Sequence, residues 1–235
     1  DRQLKEHDIH LAILCSPHNP CGRVWERWEL EQAMEVYAAN DCTVISDEIW
    51  SDLIMPGHTH IPTQSVSADA RSRTAAFYAP TKTFSLAGLI GSYHIIYDDR
   101  LRSRVRRQGD LSGYNSCNVL SMHALTGAYS HAGMEWVDQL CAVLDKNLRY
   151  IRGFMESRFP GVSMMLPQGT YMLFLDCEKW LTAHGKTMDE LYDIYAFRVI
   201  VDTIPDCYNV LGHIHDLFNL IPGRFKDYIS TPKPN

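Results

Sequence analysis

The chain has 235 residues, of which 46% are hydrophobic and 21% charged, values of a globular protein with a real core in one large or two small domains. A formal net charge of −6 gives no electrostatic reason to expect nucleic acid or an anionic membrane as a partner. Seven scattered cysteines without a C-x-x-C pair read as reduced thiols of a cytoplasmic protein. No stretch reads as a signal peptide or as an apolar run of membrane-spanning length.

In chain order, Asp1 to Lys5 reads as the tail of a helix. Ile9–Cys15 follows as a strand apolar on both faces, as parallel strands are. Residues 16–22, Ser-Pro-His-Asn-Pro-Cys-Gly, form a loop held by two prolines and a glycine. Trp28 to Ala39 has near-helical apolar spacing at Trp28, Ala33, Val36 and Tyr37. Cys42–Ser46 is the next strand, and strand, helix and strand together suit a parallel crossover. A proline-punctuated loop from Pro56 to Asp69 leads to a third strand, Thr74–Tyr78, and Ser92–Tyr97 is a fourth. The basic segment Arg100–Arg107 reads as a solvated helix face, since no interleaved aromatics accompany it. Asn118 to Tyr129 is a helix rich in small residues, and Trp136 to Phe159 is a long amphipathic one ended by Pro160-Gly161. Val162–Leu166 and Tyr171–Leu175 read as strands joined by a turn at Pro167-Gln168-Gly169, and past Asp176 the pattern blurs.

The first three strands each end in a polar cluster: Asn19 in the loop after the first, Ser46-Asp47-Glu48 after the second, Thr81-Lys82-Thr83 after the third. In an open α/β sheet, ligands bind beyond the carboxyl ends of the strands. An amide, a carboxylate and an amine delivered there make a constellation. Each member also has an ordinary reading. Lys82 suits a snorkelling surface cation, Asp47 a helix N-cap, Asn19 an Asx-turn and Thr81 a turn hydroxyl. Alternate histidines, His58 with His60 and His213 with His215, lack carboxylate and cysteine partners at ligand spacing, so no metal is expected.

On the motifs SPHNPCGRVW, SDEIWSDLI, APTKTFSLAGL and GTYMLFLDC, the chain resembles the fold-type-I pyridoxal-phosphate enzymes, the aspartate aminotransferase superfamily. Within it the cystathionine β-lyase-like carbon–sulfur lyases are most similar. The resemblance runs from about Leu11 to Asp176. It implies an α/β fold: the second half of a transferase-like large domain, residues 1–133, with a mostly parallel sheet flanked by helices. A small α+β domain over 134–235 would open in a long interdomain helix and diverge after about residue 177. It implies pyridoxal 5'-phosphate as cofactor, Lys82 as its Schiff-base lysine and general base, and Asp47 against the ring nitrogen. Asn19 would bond the phenolic oxygen and Thr81 the phosphate. Trp50 stands at a cofactor-contacting position where relatives carry tyrosine or histidine, and can only donate through its indole N–H.

The implied activity is β-elimination from an amino acid thioether to pyruvate, ammonia and a thiol. An aminotransferase of the same fold and a non-catalytic remnant are the alternatives. The expected partners are a small amino acid substrate and, in the full-length family, a second copy in a homodimer. Two departures stand out. The family's carboxylate-clamping arginine near the carboxyl terminus is replaced by His215 or Leu217, depending on alignment, with Arg224 several residues later. The resemblance also begins late: in relatives the phosphate-binding turn, a ring-stacking aromatic and three further sheet strands come before this point, and none of them is read in these 235 residues. The four strands are then expected to form one contiguous sheet with apolar edges.

Overall fold

A computed structural model of the chain describes residues 1–114, 116–187, 199–217 and 225–230. The chain divides into two compact units, Asp1–Gly185 and Lys186–Asn235. The first opens with a short helix α1 (Arg2–Glu6) and continues β1 (Leu11–Cys15), α2 (Arg27–Ala39), β2 (Thr43–Asp47), α3 (Ala68–Arg73), β3 (Thr74–Tyr78), α4 (Pro80–Thr83) and β4 (Tyr93–Ile96). Three helices follow, α5 (Asp99–Ser112), α6 (Val119–Ala128) and α7 (His131–Arg158), then β5 (Ser163–Met164), β6 (Leu175–Asp176) and α8 (Glu178–Ala183). The second unit contains α9 (Ile204–Leu217) among its described residues, in the region where the sequence pattern blurs.

The four long strands form one sheet in the order β1-β2-β3-β4. β1, β2 and β3 are parallel, and β4 is antiparallel to β3. The contiguous sheet expected from the sequence is present. Parallel register aligns Leu11 with Thr43 and Cys15 with Asp47 on β1 and β2, and Asp47 with Phe77 on β3. All three carboxyl ends therefore reach one level of the sheet. Strand side chains alternate between faces, so the two faces differ. One is packed: Val44 and Leu14 meet Met34 and Tyr37 of α2, Ala70 of α3 and Val66. On the other, Leu11 is 55% and Ile13 71% exposed.

Two expectations are corrected in detail. The segments Val162–Leu166 and Tyr171–Leu175 do not form a hairpin closed by a tight turn. Only two residues pair on each side, Ser163 with Asp176 and Met164 with Leu175. The ten residues between leave the ladder because Gln168, Gly169 and Thr170 bond to loops of the parallel sheet instead. Within the expected loop after β2, Ser67 caps a short helix, its hydroxyl accepting from the Ala70 amide at 3.0 Å. The long helix α7 belongs to the first compact unit. The basic helix α5 has no buried residue, as a solvated face should.

β1 is an edge whose outward face is apolar, and such an edge recruits other strands or sheets. Replacing Ile13 by lysine should lower binding of a dye that reports apolar surface and reduce oligomers in sedimentation. Because Ile13 is exposed, the melting free energy should move by no more than about 0.5 kcal/mol.

Candidate active site

Strand pleating sets the chemistry at the end of β2. Ser46 and Glu48 turn to one face, where both are fully buried, and Asp47 turns to the other, where it is half-buried. Asp47 Oδ1 accepts from the Ile49 amide at 3.2 Å, so the carboxylate does cap the turn after β2 as its ordinary reading proposes. That bond uses one oxygen. The peptide carbonyl of Asp47 also accepts from the Ser16 amide at 3.0 Å, and the Glu48 amide donates to Phe77 at 3.0 Å. The strand end carrying Asp47 is thus tied to both neighbours.

Lys82 sits in the single turn α4, entered through Pro80 at the first helical turn, where its missing N–H costs nothing. Lys82 and Thr81 are half-buried, and Asn19 is exposed. The side chains of Lys82, Thr81 and Asn19 make no hydrogen bond or ion pair with the described residues. For Asn19 this sets aside the Asx-turn reading. The loop turn is made by the backbone, with the Gly22 amide donating to His18 at 2.7 Å and the His18 amide to Arg23 at 2.8 Å. Trp50 differs from the other four. Its side chain is buried in a core cluster with Leu53, Val137 and Cys141, with Ile49 and Phe84 packed against it, and meets Tyr171 edge-on at 4.9 Å.

Two carboxylates that the sequence reading did not single out brace this corner. Asp52 Oδ2 accepts from the Thr83 hydroxyl at 3.1 Å and from the Tyr129 hydroxyl at 3.2 Å. The residue after Lys82 is thereby pinned to α6. Burial first, then the neighbouring tyrosine and carboxylate, push the Tyr129 hydroxyl well above the ordinary phenol range. Glu48 is the other. Oε1 accepts from the Ser46 hydroxyl at 2.8 Å and the Thr63 amide at 3.0 Å, while Oε2 accepts from the Tyr78 hydroxyl at 2.7 Å and contacts His60 Nε2 at 2.8 Å. Burial pushes this carboxyl up, but the bonds from His60, Tyr78 and Ser46 outweigh it and hold it below the usual carboxylate range. A signal was present: two carboxylates adjacent in a strand must face opposite sides, and the inward one needs donors. His60 is one of them, which accounts for one of the paired histidines. Among the described residues no group of three or more side chains could hold a metal ion.

The loop over the end of β1 is held by the segment 167–169. The Gln168 and Gly169 amides donate to Gly22 at 2.9 and 3.0 Å, Met55 donates to Gln168 at 2.9 Å, and Thr170 to Leu53 at 2.8 Å. Gln168 Oε1 accepts from Arg23 Nη1 at 2.7 Å and from the Val24 amide at 3.0 Å. Gly22 has φ +70°, and a Cβ there would overlap the Pro167 side chain and lie 2.7 Å from the Gly169 carbonyl. Only glycine suits both the dihedral and the space.

A family model described as aminotransferase class I and II matches residues 1–208. The chain belongs to the class I and II aminotransferase family. This aminotransferase-family chain is 36% identical over 191 residues to cystathionine beta-lyase PatB of Bacillus subtilis, covering 81% of the chain and 48% of PatB. Its fold matches the PLP-bound C–S lyase of Staphylococcus hominis with a TM-score of 0.73 at 28% identity, over 79% of this chain and 46% of that one. The chain therefore spans about half the length of these relatives. A separate, shorter similarity is 59% identical over 51 residues to the GTP pyrophosphokinase rsh of Brucella ovis, covering 22% of this chain and 7% of that protein.

The docking of 167–169 gives a stability prediction. Gln168→Ala removes the acceptor of a partly buried amide and of Arg23, so chemical denaturation should show a loss of about 1–3 kcal/mol. Gly22→Ala should cost more, from about 1–3 kcal/mol for overpacking and a further 1–2 or so for the left-handed backbone.

Proposed function

We propose that residues 1–185 carry the lysine-bearing half of a pyridoxal-phosphate-dependent carbon–sulfur β-lyase acting on an amino acid thioether. The observation that carries the reading is the alignment of three strand ends. Register sets Asp47, a carboxylate with one oxygen uncommitted, level with Phe77 of β3, and the turn after β3 carries an unpartnered amine and hydroxyl, Lys82 and Thr81. That donor set fits the cofactor. Bound there, pyridoxal phosphate supplies an electron sink for the electrons left at the substrate Cα. Lys82 Nζ would hold the cofactor's carbonyl carbon covalently and, once released, take the Cα proton. Asp47 would keep the ring nitrogen protonated through an ion pair. Asn19 would donate to the ring oxygen, Thr81 to the phosphate, and Trp50 would wall the pocket through its packing. The two relatives named for lyase activity favour elimination, in which a Cβ thiolate leaves. The family model's own description keeps aminotransfer as the second reading, since the same residues serve it. Pyruvate release from cystathionine, against amino transfer that depends on an added keto acid, separates the two.

The activity, the amino acid substrate and a homodimeric assembly belong to the whole family protein and are proposed here on that basis. A division into large and small domains at 133/134 is proposed in the same sense. The seven cysteines are all free, and no helix among the described residues is long and apolar enough to cross a membrane. Both are compatible with a cytoplasmic enzyme.

The family's carboxylate-clamping arginine has no assigned counterpart in this reading: His215 or Leu217 stands at its position, depending on alignment.

Borohydride reduction in the presence of pyridoxal phosphate should fix the label on the peptide containing Lys82; label spread over surface lysines would sink the assignment. Asp47→Asn should lower kcat by several kcal/mol in barrier, the order of a buried ion pair broken on one side. A rate within about threefold of the parent would leave Asp47 only its capping bond. His215→Arg or Leu217→Arg should lower KM for amino acids at one of the two positions, which would also fix the alignment. No effect at either would count against a substrate pocket built by this segment.

A further inference from the structure

We propose that Glu48 is a positioning residue that fixes the spacing between Asp47 and Lys82. The inference rests on the reading above, in which those two residues hold the cofactor. Glu48 is fully buried and directly follows Asp47, so four bonds to its carboxylate immobilise the peptide that aims Asp47. Two donors come from β2 itself and from the backbone of the segment after it, Ser46 and Thr63. A third contact is His60, whose side chain is only 10% exposed. The last donor is Tyr78, the final residue of β3, two residues before the turn that carries Lys82.

One carboxylate therefore grips both strand ends. It holds β2 one residue beyond Asp47 and β3 four residues before Lys82. The grip continues around the corner through aromatic packing. Tyr78 stacks on Tyr93 at 5.4 Å, Tyr93 meets Tyr129 edge-on at 6.0 Å, and the Tyr129 hydroxyl reaches the Asp52 oxygen that also holds Thr83. Lys82 is thus bracketed from both sides by groups that do not enter the site. Imine chemistry with a paired ring nitrogen needs the amine and the carboxylate held to a fraction of an ångström. A charge is better suited to this than a neutral group, because bonds to an ionised acceptor are shorter and stiffer.

Glu48→Gln keeps the shape and removes the charge, and Tyr78→Phe removes only the bond to β3. Both are compared with the parent at a temperature where circular dichroism shows each fully folded without cofactor. Two quantities are read with pyridoxal phosphate as probe. One is the rate at which a borohydride-fixable label appears on Lys82; the other is the pH midpoint of the bound chromophore's absorbance. We expect labelling slowed about tenfold or more in Glu48→Gln, less in Tyr78→Phe, and the midpoint moved in both. A merely structural role would lower the melting temperature and leave both quantities at the parent's values in the folded protein, which would overturn the proposal. Should Glu48→Gln fail to fold, Tyr78→Phe decides alone. A parent that takes no label on Lys82 would overturn the cofactor reading as well, so the two failures are distinguishable.

Discussion

Everything at the candidate site depends on the pleat of one strand end. Ser46, Asp47 and Glu48 alternate across β2, so the chain presents two carboxylates one residue apart to opposite environments. On the inward side a charge with no donors would cost several kcal/mol, and the segments around β2 are shaped by that requirement. Thr63 turns its amide in from a short helical turn, His60 reaches across from the loop, and Tyr78 points its hydroxyl back from β3. On the outward side Asp47 needs only the Ile49 amide and keeps an oxygen for something else. The same geometry that stabilises one carboxylate leaves its neighbour available.

Parallel register then carries this alignment sideways. Because Cys15, Asp47 and Phe77 lie at one level, the loops that follow must turn within the same few ångströms. The segment 167–169 arrives from the far end of α7 and holds two of them through Gly22, Leu53 and Met55. α7 itself packs Val137 and Cys141 on Trp50 and Leu53. Burying Trp50 between loop and helix thus fixes the distance between the sheet and the segment that latches the β1 loop. Apolar packing sets the separation, and backbone hydrogen bonds set the register.

Much of this could be read from residues alone, and the reasons are local. The strands at Leu11–Cys15, Thr43–Asp47 and Thr74–Tyr78 are apolar runs bounded by turn residues, so their limits were legible to within two residues. Lys82, Asp47 and Thr81 stood out because a polar group directly after an apolar strand has few places to go. What could not be read was pairing across long sequence separation. Gln168 bonds to Arg23 and Val24, and Thr83 and Tyr129 share Asp52; no period or spacing encodes such contacts. The hairpin expected at Pro167-Gln168-Gly169 was legible as a turn, but the partner of that turn is Gly22 and not the next strand. The alternate spacing of His58 and His60 is visible in the sequence, whereas the contact of His60 with Glu48 is not.

The tail poses a different problem, because the sequence pattern blurs past Asp176 while the family match continues to residue 208. Up to Asp176 the proposed site residues all lie at or after the ends of β1, β2 and β3. Beyond Gly185 the chain forms a compact unit of its own, with α9 carrying a hydrogen bond partner, Tyr208, that closes on Asp227 at 3.1 Å. Asp227 also accepts from the Ile229 and Ser230 amides at 2.9 Å. None of these hydrogen bonds involves His215 or Leu217, the two candidates for the clamp position, so the bonds that hold the tail are separate from any that would bind a substrate carboxylate. The lysine-bearing corner does not depend on them either: Asp52 and Glu48, which brace it, take their donors from the first unit.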